Sequence, residues 1–210
     1  MKEIVLPLCS FAPVHWVVLI ANFPCVIESC EHYPKQTFRN RYEVCGPNGR
    51  QTLTVPVVGQ KGIKTRVRDI RISGTAWKKN HLGTIASAYG RSAYFEHFYP
   101  DMEKIMTEAS SFLFDFNLQS LELFMSVFDK KELRLTHTYE EKTEGKDLRS
   151  NFEPGSTWPA LSAYPQVFSD RFEFQGGLSF LDALFHLGPG ASDYATSEFN
   201  RTTMKRFIET

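Results

Sequence analysis

Residues 4–27, IVLPLCSFAPVHWVVLIANFPCVI, decide the fold of this chain. Residues 4–8 form a short apolar run interrupted by a proline, which is typical of a buried strand. Residues 14–21 predict a short helix, and residues 25–27 predict a second buried strand. A strand, a helix and a strand in such close succession predict a βαβ unit with two parallel strands.

Polar segments follow both predicted strands, at residues 10–15 and 28–33. Ligands of open parallel sheets bind beyond the carboxyl ends of the strands, so we expect both segments at one rim. Glu28 and Glu31 would there orient a nucleophile, or hold Mg²⁺ together with a nucleotide. The alternative is an ordinary polar loop without a catalytic role.

Composition limits the classes of protein to consider. The chain has 210 residues, 42% of them hydrophobic, which suits one domain over residues 1–210. The 24 basic residues balance the 24 acidic ones, and a general nucleic-acid binder would usually be more basic. No segment approaches the ~20 apolar residues of a membrane span, and the four cysteines form no CxxC pair. We therefore expect a cytoplasmic protein with reduced thiols and no nucleic-acid partner.

A basic stretch follows the βαβ unit. Residues 35–79 contain eleven lysines or arginines and two acids, a local excess that attracts anions. Residues 39–45 and 53–57 alternate around a turn at 46–49, which predicts an inserted β-hairpin. Alternation places Arg39 and Arg41 on one side of its first strand, where they would bind an anionic substrate such as a sugar nucleotide. The substrate-binding residues predicted from this stretch and the helix after it are Arg39, Asn40, Arg41, Lys61, Lys64, Trp77 and Tyr89.

A helix predicted over residues 76–88 carries the leading candidate for proton transfer. Trp77, His81 and Tyr89 recur at intervals of four residues or multiples of four, so they share one helix face. The ordinary pKa of histidine suits general acid or base catalysis, which makes His81 a candidate catalytic residue. The alternative is a core histidine that only forms a hydrogen bond.

His15 lies in a second candidate motif. Residues 11–15, FAPVH, are similar to the first half of the Phe-x-Pro-x-His-x-Gly-His signature of nucleotidylyltransferases. Val17 and Val18 stand in place of the second half. A histidine at a helix N-terminus still predicts a substrate-binding role toward an anion, or else an ordinary hydrogen bond.

The rest of the chain predicts helices and one loop. Asp101, Asn117 and Ser179 are expected to cap three helices, and residues 133–138 alternate like a strand. Residues 140–156 are polar and predict a flexible loop. Residues 191–210 predict a polar tail or a loose last helix.

Several segments together resemble the WbqC-like protein family over roughly residues 4–194. The resemblance is carried mainly by FRNR at 38–41, LTVPV at 53–57, the Trp-x-Lys-x-His pattern at 77–81 and LSFLDALF at 178–185. It implies a context in bacterial surface-polysaccharide biosynthesis of the O-antigen type and a transferase activity, such as addition of an amino acid to an amino sugar. The chain departs from the family pattern after its second strand, where Glu28 and Glu31 stand in an altered setting.

We therefore expect an α/β fold, a single domain with a Rossmann-like parallel sheet, an inserted β-hairpin and C-terminal helices. The leading functional hypothesis is transfer to a sugar or sugar nucleotide, an aminoacyl, acyl or glycosyl-type transfer, with no metal ligands assigned. A non-catalytic ligand-binding or scaffold protein of the same fold is the alternative. Nucleotidyl transfer is a third hypothesis, which the missing second histidine disfavours.

Overall fold

The computed structural model describes residues 3–58, 64–128 and 133–210, so Lys61 lies outside the described residues. Strand β1 (Ile4–Pro7), helix α1 (Val14–Asn22) and strand β2 (Cys25–Glu28) form the predicted βαβ unit, with β1 and β2 parallel. Strand β3 (Arg41–Gly46) and strand β4 (Gly49–Thr54) form the predicted hairpin. The α/β class, the parallel sheet and the inserted hairpin are thus confirmed.

The hairpin begins later than the sequence predicted. Arg39 and Asn40 precede β3 in a turn in which the Asn40 N–H donates to the Thr37 carbonyl. Asn40 then pairs with Val55 through both its backbone carbonyl and its side-chain amide. The expectation that Arg39 and Arg41 share one side of a strand was wrong, because the turn directs Arg39 into the protein.

Among the described residues, the middle of the chain contains two short strands and three α-helices. Pro100 lies inside the second helix, which begins at Phe95 and not after an Asp101 cap, because Phe98 and Met102 anchor both sides of the proline in the core. Asn117 is buried inside the third helix and caps nothing. The elements are β5 (Val57–Val58), β6 (Arg71–Ile72), α2 (Ala76–Tyr89), α3 (Phe95–Thr107) and α4 (Leu113–Met125).

The segment predicted as a loop over residues 140–156 contributes to the sheet. Strand β7 (Lys146–Asp147) pairs in parallel with β1, which gives the order β2-β1-β7. The strand predicted over residues 133–138 is reduced to a bridge between Leu135 and Ile27 at the outer edge of β2. Strand β1 therefore lies at the centre of the sheet, and residues 140–156 are not simply a loop.

Three helices complete the chain, as α5 (Phe180–Leu187), α6 (Gly190–Thr196) and α7 (Glu198–Glu209). Ser179 caps α5 as predicted, and Gly188 ends it with a positive φ of 58°. Of the two alternatives predicted for residues 191–210, the segment is helical and not a tail, although it forms two helices and not one. Both α6 and α7 pack against α1 and bury Ala191, Ala195 and Met204. In the parts of the chain that the structure describes, no helix has the length and apolarity to cross a membrane.

Candidate functional site

Charged side chains gather beyond the carboxyl ends of the parallel strands, where ligands of such sheets bind. Glu28 ends β2 and Asp147 ends β7, on either side of the central strand. They adjoin a cleft of about 650 Å³ that we name the charged cleft. Its charged lining consists of Glu31, Arg39, Lys64, Glu141, Asp147, Arg149 and Glu153.

Glu31 and Arg39 form a buried pair in this cleft. The Arg39 Nε donates to Glu31 Oε1 at 2.6 Å, and Arg39 Nη2 donates to Oε2 at 2.8 Å. Burial raises the pKa of the Glu31 carboxyl, although the Arg39 hydrogen bonds favour its charged form. A buried carboxyl with a raised pKa that lines a cleft is a candidate general base.

Arg149 links the strand ends, a role that the sequence analysis did not predict. Its Nη1 donates to Glu28 Oε2 at 3.1 Å, and its Nη2 donates to Asp147 Oδ2 at 2.6 Å. The hydrogen bonds that Arg149 donates to the Asp147 carboxylate raise the pKa of Arg149, so the guanidinium stays charged. Arg149 lies in the polar segment 140–156. Because this segment contains no apolar run, it was predicted to be a loop.

The other predicted basic residues fall at different places. Lys64 is exposed on the charged cleft, and no carboxylate pairs with it among residues 3–58, 64–128 and 133–210. Arg41 is half-buried on β3 and does not line the cleft, but its charge acts on Tyr33, which does. Asn40 is buried and holds Val55. The structure thus brings Arg39 and Lys64 together and leaves Arg41 and Asn40 apart from them.

His81, Trp77 and Tyr89 share the buried face of α2, as the sequence predicted, but they lie in the core. His81 Nδ1 is 2.8 Å from the Tyr42 hydroxyl, and the ring packs edge-on against Trp77. Burial lowers the pKa of His81 to about 4. His81 lines neither the charged cleft nor a second cleft, described below, that contains His15. The geometry therefore does not support its predicted role in proton transfer.

His15 lies in a second cleft of about 540 Å³ that adjoins the first, since Glu153 lines both. We name it the aromatic cleft, after His15, Phe38, Trp158 and Phe174 in its wall. The N-terminus of α1 offers little to a phosphate. The N–H of Val14 donates to the Leu178 carbonyl, and the N–H groups of Trp16 and Val17 donate to the Pro13 carbonyl. These three N–H groups are therefore already used within the protein.

The acids at the rim do not fit the Mg²⁺ that the sequence suggested. Glu28 Oε1 accepts from the Cys30 N–H and the Thr136 hydroxyl, and Oε2 accepts from Arg149. Both oxygens of Glu31 accept from Arg39. Among the residues described, no group of three or more His, Cys, Asp or Glu side chains is arranged to hold a metal ion. No step is assigned to a metal.

Comparison with known proteins agrees with the sequence motifs. Residues 24–154 match the WbqC-like protein family, and this range covers more than half of the chain. The chain therefore belongs to the WbqC-like protein family. It is 26% identical over 191 residues to the "Uncharacterized protein Rv1507c" of Mycobacterium tuberculosis, covering 77% of this chain and 83% of that relative. No solved structure matches it.

Proposed function

We propose that this protein is a transferase that acts on a sugar or a sugar nucleotide, in the surface-polysaccharide context that its family resemblance implies. The observation that carries the proposal is the buried Glu31–Arg39 pair in the charged cleft, beyond the carboxyl ends of the parallel strands. A carboxyl with a raised pKa and a fixed orientation suits proton transfer from an amine or hydroxyl.

In this mechanism each residue has a distinct role. Lys64, exposed and without a carboxylate partner among the described residues, attracts the phosphates of the substrate. Glu31 accepts the proton from the hydroxyl or amine of the acceptor. The acceptor's oxygen or nitrogen then bonds to the transferred group, and the bond between the transferred group and its leaving group breaks. Arg39 positions Glu31, and Arg149 holds Glu28 and Asp147 at the strand ends.

A product assay tests this role. The protein is incubated with sugar nucleotides and activated acyl or glycosyl donors, each with and without Mg²⁺, and products are detected by mass. Glu31→Gln should lower turnover roughly 100-fold or more, the usual scale of general-base catalysis, while sugar-nucleotide binding persists. Lys79→Ala, an exposed lysine on α2 away from this cleft, should leave turnover unchanged.

A non-catalytic ligand-binding protein is the second candidate, and one observation favours it. Both carboxylate oxygens of Glu31 and two nitrogens of Arg39 already satisfy each other, as in a purely structural ion pair. This candidate predicts saturable binding of a sugar nucleotide with no product for any donor. Equal turnover by Glu31→Gln and the unmodified protein would refute the catalytic role of Glu31.

A further inference from the structure

Ion pairs neutralise only part of the charged cleft. Three charged side chains of its wall are exposed and form no salt bridge within residues 3–58, 64–128 and 133–210, namely Lys64, Glu141 and Glu153. One positive and two negative charges do not suit a ligand that is anionic throughout. They suit a ligand that is anionic at one end and donates hydrogen bonds at another.

Tyr139 adds an exposed aromatic ring to the same wall, and the residue is 48% exposed. The Arg149 Cζ lies over its ring, 5.0 Å from the centroid, and Arg149 is itself buried and held by Asp147. A fixed guanidinium therefore supports one face of the ring, while about half of the residue stays open to a ligand. An exposed aromatic ring beside a positive charge is the ordinary means of binding a nucleotide, because every base can stack on such a ring.

Glu141 follows Tyr139 by two residues and lines the cleft with it. Arg149 Nη2 donates to the Glu141 carbonyl at 3.5 Å, so the guanidinium that supports the Tyr139 ring also holds the backbone of Glu141. Glu153 is linked to Tyr139 by no hydrogen bond or ring contact in the described structure, and it lies where the charged cleft meets the aromatic cleft. Glu141 is therefore the carboxylate that belongs beside a base stacked on Tyr139.

A free carboxylate distinguishes among the bases. Guanine has two adjacent N–H donors, at N1 and N2, and these match the two oxygens of one carboxylate. Adenine and cytosine have one amino donor next to a ring nitrogen that accepts, and uracil has one N–H between two carbonyl oxygens. A carboxylate beside the stacking ring therefore favours guanine, because each of the other bases brings an acceptor against it.

We propose that the charged cleft binds a guanine nucleotide, with the base stacked on Tyr139, its N1–H and N2–H groups donating to Glu141, and its phosphates attracted by Lys64. All three side chains are exposed in the wall of the cleft, so a ligand can reach them. The inference rests on the proposed function and deepens it, because it names the nucleotide of the sugar-nucleotide substrate.

Calorimetric titration of the full chain with GDP, IDP, ADP and UDP tests the role of Glu141. GDP should bind about tenfold more tightly than ADP or UDP, and IDP, which lacks the 2-amino group, should fall between them. Glu141→Gln should weaken GDP binding about tenfold and remove this preference. Glu153→Gln removes the same charge from the other exposed carboxylate and should keep the preference, which makes it the matched control.

A second pair of variants tests the stacking ring. Tyr139→Ala should weaken the binding of all four nucleotides about tenfold, because stacking does not depend on the base, whereas Tyr139→Phe should bind them like the unmodified protein. The position is exposed, so neither change removes a core side chain. Absence of GDP binding, equal binding of GDP, ADP and UDP, a preference for GDP that Glu141→Gln retains, or unchanged GDP binding by Tyr139→Ala would each overturn the proposal.

The outcomes also separate this inference from the proposed function. GDP binding that depends on Glu141, together with no turnover of any sugar nucleotide, would leave the guanine site assigned and reject the transferase. Turnover of a uridine-linked sugar that depends on Glu31 but is unaffected by Glu141→Gln would do the reverse.

Discussion

Glu31 and Arg39 form a bidentate pair, with nitrogen–oxygen distances of 2.6 and 2.8 Å, across a turn that buries both side chains. The pair connects the segment after β2 to the segment before β3. Arg39 Nη2 also donates to the Arg149 carbonyl at 3.1 Å, so the same guanidinium reaches the segment after β7. One arginine therefore closes the β2–β3 connection on itself and joins it to the segment after β7, and both segments line the charged cleft.

Removing one partner of this pair should cost far more stability than removing both. Arg39→Met leaves the Glu31 carboxyl buried without its counter-ion, at a cost of about 3 kcal/mol in the free energy of unfolding. The double variant Arg39→Met, Glu31→Met removes the uncompensated charge, so it should be more stable than Arg39→Met alone. Urea unfolding measures both, and simple additivity of the two single changes would contradict the account.

Asn117 should be more important for stability than its place inside a helix suggests. Its Oδ1 accepts from the Ser10 hydroxyl at 2.6 Å, and its Nδ2 donates to the Arg39 carbonyl at 2.8 Å. Asn117→Leu should lower the free energy of unfolding by about 2 kcal/mol, because buried partners lose their hydrogen bonds. Gln119→Leu on the same helix is the control, since Gln119 Oε1 has no partner in the described structure. Equal losses in the two variants would refute this role.

The contribution of His15 to the free energy of unfolding should fall as the pH is lowered from about 6.5 toward 4. Burial lowers the pKa of His15 to about 4, and Arg50 acts in the same direction while the Pro159 carbonyl opposes it. The unfolded chain, with an ordinary histidine pKa near 6.5, binds a proton in this window that the folded protein does not. His81 has the same direction of shift from burial. His15 and His81 should therefore each lower the free energy of unfolding by about 2 kcal/mol between pH 7 and pH 5.

Urea unfolding of His15→Gln at the two pH values checks this prediction. The variant should lose about 2 kcal/mol less than the unmodified protein between pH 7 and pH 5, because one titrating group is gone. His97→Gln, at an exposed site, should behave like the unmodified protein. An unchanged pH dependence in His15→Gln would show that His15 does not titrate with a lowered pKa.

The sequence predicted the elements whose signals are local. The apolar runs of β1 and β2, the turn at residues 46–49 and the Ser179 cap each depend on neighbouring residues, and each appears in the structure. Strand β7 could not be found in this way, because two residues joined to the sheet by β1 carry no pattern of their own. Helix α3 was placed too late because Pro100 resembles a boundary, and only tertiary packing of Phe98 and Met102 shows otherwise.

The candidate site was predicted only in part, because some of its residues follow local sequence signals and others are placed by tertiary contacts. Glu28 and Glu31 lie near the expected rim, since the βαβ unit determined where the strand ends meet. Lys64 was predicted only from the charge of its basic stretch, which did not indicate where in the fold it would lie. Arg149 and Trp158 come from a distant polar segment, and their positions depend on contacts that only the folded chain makes. His81 looked like a general base because helix periodicity shows a shared face but does not show whether that face is buried.

The charged cleft is proposed to bind an anionic sugar derivative, and a thermal-shift screen is the most direct test of that binding. Nucleotides, sugar nucleotides and amino acids are each added with and without Mg²⁺, because a ligand of the native state raises the melting temperature. We expect a shift with at least one sugar nucleotide that Lys64→Ala reduces strongly, Arg41→Ala reduces less, and Lys79→Ala leaves intact. No shift with any sugar nucleotide, or a shift that Lys64→Ala leaves unchanged, would contradict it.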